Sequence, residues 1–249
     1  MDAVLGNAPR ASRHAAPNHS SYSTSAVNFL ASFYRSSIGK KWIVALTGLA
    51  LIGYVIGHLV GNLQIFGAPE KINQYAEFLH SMPRALWVVR SVLLAAFFLH
   101  IFTTIKLATE NRAAKGRTNE MRATTSPKPA KKTMVVSGLL VLSFVAYHLA
   151  HFTARITDAR FEKLNHDVHT MVILGFQNPL VSGFYLLSVF LLCLHLSHGF
   201  QSVPQTFGLN SKSLRNAITK GGQALAWIIF AGYASIPLAV LLKQLTPAH

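Results

Sequence analysis

The stretch WIVALTGLALIGYVIGHLVGNLQIF, residues 42–66, runs without one charged side chain and carries a single histidine, His58. A helix rises about 1.5 Å per residue, so about 20 mostly apolar residues cross the hydrocarbon core of a bilayer. This segment is long enough to do so. Four more of the same kind follow at 85–108, 133–152, 179–200 and 224–242. The expected fold is therefore all-α, an integral membrane bundle of five transmembrane helices. Composition agrees. The 249 residues are 51% hydrophobic and 12% charged, with a mean hydropathy of +0.36. A soluble domain usually has about twice that charged fraction.

Net charge is +15, and its placement reads as topology rather than as a nucleic-acid surface. Arg10, Arg13, Arg35, Lys40 and Lys41 precede the first span. Arg112, Lys115, Arg117, Arg122, Lys128, Lys131 and Lys132 lie between the second and third, and Lys212, Arg215 and Lys220 between the fourth and fifth. The opposite side has fewer cations and holds Glu70, Glu77, Asp158, Glu162 and Asp167. The cation-rich side is expected inside, which puts the N-terminus inside and the C-terminus outside. The reading is of a multi-pass protein of a bacterial cytoplasmic (inner) membrane.

Residues 1–25 read as a disordered polar tail. Residues 26–41 form a basic segment suited to lying on the inner leaflet, and 42–249 form the membrane domain. Ser126–Lys132, with two prolines, reads as loop. Pro237 is expected to kink the fifth span, and no internal repeat is evident. The single cysteine, Cys193, excludes an intrachain disulfide and any Cys-ligated zinc or iron–sulfur centre. All eight acidic residues lie outside the apolar cores, which argues against a proton pump or ion transporter.

Histidine in hydrocarbon marks function by default, and each of the first four spans carries at least one. His58 and His148 lie about 15 residues into outward-running helices, whereas His100 and His195 lie about as far into inward-running ones. The four divide into an outer pair, His58 with His148, and an inner pair, His100 with His195. Each pair comes from two helices. Such a pair can hold one haem iron by both axial positions. His151 and His198 stand three residues after His148 and His195, on the same faces. Spacing alone leaves open which of each couple binds iron; depth favours the deeper member, and the shallower could bond a haem propionate or nothing. Gly48, Gly53, Gly57 and Gly61 line one stripe of the first span and admit a flat ring or a neighbouring helix.

Several stretches carry a family resemblance: SSIGKKWIVALTGL at 36–49, GHLVGNLQIFG at 57–67, FLHSMP at 78–83, LHIF at 99–102, AYHLAHF at 146–152 and GFYLLSVFLLCLHLSHGFQS at 183–202. Together they make the chain resemble the cytochrome b membrane-anchor subunits of succinate dehydrogenases and fumarate reductases, in the five-helix, two-haem form. The resemblance implies two haem b groups. The outer would be held by His58 and His148, the inner by His100 and His195. It also implies a quinone, of the menaquinone kind, and an iron–sulfur subunit docked on the cytoplasmic face with a flavoprotein subunit behind it. It leaves room for an oligomer of the whole complex.

The chain has neither a FAD fingerprint nor an iron–sulfur cysteine set, so it is not the dehydrogenase itself. Arg90 and Lys106 are expected to snorkel or to meet the outer and inner haem propionates respectively. Asn62, Gln64, Glu77 and His80 are the polar groups near the expected quinone end. Two other readings remain open at this stage. One is the cytochrome b subunit of a hydrogenase or formate dehydrogenase. The other is a haem-free transporter or channel.

Overall fold

The computed structural model describes residues 31–116, 130–164, 167–209 and 211–247. The tail 1–25, residues 26–30 of the basic segment and most of the loop between the second and third spans lie outside these. Among the described residues every regular element is helical. Five helices are long and apolar enough to cross a membrane: α1 (Ser37–Asn62), α3 (Pro83–Gly116), α4 (Ala130–His148), α6 (Pro179–Thr206) and α7 (Lys212–Leu241). Two shorter helices, α2 (Pro69–His80) and α5 (Val168–Phe176), occupy the connections on one end of the bundle.

Local chemistry sets the boundaries. Ser36 caps α1 by accepting from the Gly39 amide at 2.9 Å, while its hydroxyl donates to the Phe33 carbonyl at 2.8 Å. The helical stretch 31–35 therefore breaks from α1 at Ser36 yet stays against it. A Cβ on Gly39 would stand 2.0 Å from the Phe33 carbonyl oxygen, so only glycine fits there. Past Asn62 the chain tightens into a 3-10 turn, Leu63–Phe66, and restarts at α2 with Pro69 in its first turn. Proline suits that position because its missing N–H has no helical partner there anyway.

The α2 and α5 helices are the elements that hydropathy reading passes over. Each is too short to span. Asp167 caps α5 by accepting from Thr170, and Asn73 of α2 donates to Asp167 while accepting from the His169 amide. These bonds clasp α2 to α5. Ala130–Lys132, expected as loop, is helical instead. Nothing after Pro129 breaks the helix, and Ala and Lys are good helix formers. Both α6 and α7 run past their expected ends, α6 through Pro204 and α7 from Lys212. Pro237 sits buried within α7, which continues to Leu241.

The packing has a seam. One hairpin is α1 against α3 and another is α4 against α6; α7 lies along α6. The hairpins touch along α1 and α6, and only sparsely between α3 and α4. Trp87, Val88, Val92 and Phe102 of α3 are all more than 60% exposed. In water such an apolar face would be an interaction patch; in a bilayer it is the lipid surface. At the end of the bundle away from α2 and α5, the ammonium of Lys40, 2% exposed, pairs with Glu110 of α3.

The α6–α7 contact is tight where Gly222 meets Phe200: a Cβ there would stand 2.2 Å from the Phe200 ring, whereas one on Gly221 would meet nothing within 4 Å. Gly222→Ala is expected to destabilise by about 1–3 kcal/mol, the usual range for overpacking, with Gly221→Ala neutral. Thermal unfolding midpoints in detergent check this, and equal midpoints for the two variants would contradict the packing.

Candidate functional site

The four span histidines stand around the seam, in two levels. At one level, near α2 and α5, the rings of His58 (α1) and His148 (α4) face each other with centroids 5.8 Å apart and planes at 81°. Tyr54 stacks on His58 at 5.5 Å, and Tyr233 of α7 lies 6.2 Å from it. The Tyr233 hydroxyl donates to the Val55 carbonyl at 2.8 Å, which ties α7 to α1 beside His58. At the other level, near the Lys40–Glu110 pair, His195 of α6 lies within electrostatic reach of His100 of α3.

Each level has its own polar support. The His100 Nδ1 lies 3.2 Å from the Val44 carbonyl and 3.1 Å from the Thr47 hydroxyl, both on α1. The His195 Nδ1 lies 3.2 Å from the Ser137 hydroxyl of α4. On the far level the Tyr185 hydroxyl of α6 stands 3.4 Å from the His148 Nδ1 and 3.0 Å from the His151 Nδ1. A π-helical turn, Leu149–Thr153, directly follows His148. Both His148 and His151 thus reach one hydroxyl. His151 is 2% exposed and stacks on Phe161 at 5.3 Å.

The remaining expected residues divide. His198 is half-buried and its Nδ1 has no hydrogen-bond partner among the described residues. Arg90 lies over the Trp87 ring at 5.5 Å and within electrostatic reach of Tyr54, so it belongs to the His58 level. Lys106 sits over the Tyr34 ring at 4.9 Å, a cation–π partner that sequence reading did not foresee. Asn62 donates back to the His58 carbonyl at 2.7 Å, a bond within its own helix. Gln64 is half-buried in the 3-10 turn. Glu77 and His80 are exposed on α2, with the His80 Nδ1 2.7 Å from the Ala76 carbonyl. These four share the end of the bundle at which His58 and His148 lie.

The chemistry open to this arrangement is narrow. Among the described residues no three His, Cys, Asp or Glu side chains gather as a metal site. The histidines come in twos, each two spanning the seam. Sequence reasoning missed Thr47, Ser137 and Tyr185. In sequence Thr47 and Ser137 look like ordinary helix residues bonding to their own backbone, and Tyr185 like a packing aromatic.

No protein-family model matches the chain, and no solved structure matches it. It is similar to the succinate dehydrogenase cytochrome b558 subunit of Bacillus subtilis (strain 168), at 24% identity over 166 residues. That match covers 66% of this chain and 77% of the relative.

The shared hydroxyl gives a test of the far level. Tyr185→Phe strands the buried His151 Nδ1, for which the expected cost is about 1–3 kcal/mol. His151→Leu removes the group that needs the hydroxyl. The double variant should therefore lose less stability than the two single losses added together, as read by denaturation in detergent. Simple additivity would show that the two side chains are not coupled.

Proposed function

We propose that this chain is the two-haem cytochrome b membrane anchor of a succinate dehydrogenase or fumarate reductase complex, passing electrons between an iron–sulfur subunit and membrane quinone. One observation carries the reading: His58 and His148 face each other at 5.8 Å across a seam between two helical hairpins. The printed name of the relative, a succinate dehydrogenase cytochrome b558 subunit, supports it.

The residues fit a haem. A metal–imidazole bond of about 2 Å on each side puts the ring centres of two opposed ligands roughly 6 Å apart, close to the observed spacing. Space for a flat ring exists on α1, because a Cβ on Gly53 or Gly57 would meet nothing within 4 Å. When bound, haem supplies a one-electron carrier whose potential is set by axial ligands, hydrogen bonding and burial. His58 and His148 would hold the outer haem, His100 and His195 the inner. Tyr185 orients His148 and steadies His151 behind it. Arg90 stands at the level where outer propionates would need a cation. The apolar spans exclude water from both levels.

The remaining assignments follow the charge pattern and the family. The cation-rich loops lie inside, so the Lys40–Glu110 end, beside His100 and His195, faces the cytoplasm. An iron–sulfur subunit docked there, with the flavoprotein subunit behind it, meets the inner haem first. Quinone, of the menaquinone kind, is served at the outer end, where Asn62, Gln64, Glu77 and His80 supply polar groups.

The purified complex is expected to show a b-type spectrum and two haems per chain by pyridine haemochrome. His58→Ala and His148→Ala should lose one and the same haem, and His100→Ala and His195→Ala the other. Redox titration separates the centres. If His58→Ala and His100→Ala deplete the same one, the pairing is wrong. A reporter fused after His249 should read as periplasmic, and one inserted near Arg117 as cytoplasmic. The reverse pattern would exchange inner and outer throughout.

A further inference from the structure

The two inner histidines are seated by matching two-residue steps. Thr47 and Gly48 of α1 face His100: the hydroxyl lies 3.1 Å from its Nδ1, and a Cβ on Gly48 would stand 3.2 Å from its Cε1. Ser137 and Gly138 of α4 face His195: the hydroxyl lies 3.2 Å from its Nδ1, and a Cβ on Gly138 would stand 3.4 Å from its Cε1. Each step is a hydroxyl residue followed by glycine. Each belongs to the other helix of its hairpin, not to the helix carrying the histidine.

Hydrogen-bond direction follows from the partners. The Thr47 hydroxyl donates to the Ile43 carbonyl at 2.6 Å, and the Ser137 hydroxyl to the Met134 carbonyl at 3.0 Å. With its one hydrogen used on the backbone, each hydroxyl oxygen can only accept from the imidazole. For His100 the Val44 carbonyl, which has no proton to give, requires the same assignment. The Val44 carbonyl thus places the His100 proton on Nδ1, and the matching Ser137 geometry assigns the His195 proton likewise. Their Nε2 lone pairs are left for a metal, on the side of the ring away from the step.

The spacing repeats as well. Thr47 precedes His58 by eleven residues, and Ser137 precedes His148 by eleven. Eleven residues are about three turns, so step and histidine share one helix face about 16 Å apart. Both outward helices thus carry an outer ligand and, three turns below it, a seat for the inner ligand of the helix beside it. This is an internal repeat that the sequence alone did not make evident.

From this we infer that Thr47–Gly48 and Ser137–Gly138 are paired positioning seats that orient His100 and His195 as ligands of the inner haem and tune that haem alone. The inference rests on the two-haem reading. Donation from Nδ1 to an acceptor fixes the tautomer and makes Nε2 the stronger donor to iron, favouring the ferric form. Loss of either acceptor should raise the inner haem's potential.

The test uses the intact complex with Thr47→Val, Ser137→Ala, the conservative Thr47→Ser, and Ser143→Ala as control. Ser143 bonds only to the Leu139 carbonyl of its own helix among the described contacts. Haem-to-protein ratio, redox titration of both haems and low-spin EPR signals are measured on each. Thr47→Val and Ser137→Ala should each move the same haem upward in potential and shift its EPR signal. The change should be roughly tenfold in the redox equilibrium for Ser137→Ala, 59 mV for one electron, and smaller for Thr47→Val, because the Val44 carbonyl still accepts from His100. The other haem should stay fixed, and Thr47→Ser and Ser143→Ala should match the parent.

Should either variant fail to accumulate, Gly48→Ala and Gly138→Ala, which crowd the same rings without touching the hydroxyls, should perturb the same haem's EPR signal. Two haems in the parent with neither potential moved, or both moved alike, would overturn the seats and leave the two-haem reading standing. A parent complex with no haem would overturn both.

Discussion

A buried imidazole that keeps an N–H gains from an acceptor, and for His100 and His195 the acceptors come from a neighbouring helix: a side-chain hydroxyl for each, and for His100 a backbone carbonyl as well. His100 obtains its acceptors from α1 and His195 from α4, so α1 must lie against α3 and α4 against α6. Glycine at position 48 and again at 138 lets the rings come within reach. The tight hairpins and the seam between them are two aspects of one arrangement. Within a hairpin the outward helix satisfies its neighbour's histidine, and across the seam the histidines are free to share something else.

The arrangement repeats in the two hairpins but is not identical. Tyr185 stands ten residues before His195 on α6, and its hydroxyl serves His148 and His151. The position ten residues before His100 on α3 holds Arg90, which lies over Trp87 and within reach of Tyr54. One hairpin therefore offers a neutral hydroxyl at the His58–His148 level and the other a fixed cation. The His100–His195 level is close to symmetric in its support. In the two-haem reading this difference gives the two centres unlike electrostatic surroundings even though all four ligands are histidine. Axial identity alone would leave them alike; hydrogen bonding and nearby charge separate them.

Hydropathy and periodicity carried the sequence reading far. The five spans and the two histidine levels follow from residue spacing, because a membrane helix has one allowed geometry and a nearly fixed length. The His58–His148 contact is what equal depth on antiparallel hairpins would produce. Much else was not legible. Thr47 and Ser137 bond both their own backbone and a foreign imidazole, and only the first habit shows in a sequence. The α2 and α5 helices are short and held by Asn73, Asp167 and the His169 amide, a clasp between residues almost a hundred positions apart. Lys106 looked like a snorkelling cation, but its ring partner, Tyr34, belongs to the segment before the first span. The π-helical turn after His148 leaves no compositional trace.

Acid acts on the clasp between α2 and α5. Burial raises the Asp167 carboxyl, but hydrogen bonds from Thr170 and Asn73 outweigh it and hold the group below its ordinary value. A carboxyl depressed in the folded state stabilises that state above its unfolded pKa, and the contribution fades as pH falls through the folded value. At neutral pH the clasp is at full strength. It weakens only in strong acid, when the carboxylate that caps α5 and accepts from Asn73 takes up a proton. Asp158 is depressed in the same direction, chiefly by its hydrogen bond with Arg160, whose guanidinium also reaches the Leu174 carbonyl of α5. Both carboxylates bear on α5, and through Phe176 and Ile173 that helix packs on Tyr185. The tyrosine beside His148 thus rests on a cap whose charged bonds lie outside the five spans. The His58–His148 level is supported from beyond the spans by ionised groups, whereas the His100–His195 level is supported from within the bundle by neutral hydroxyls.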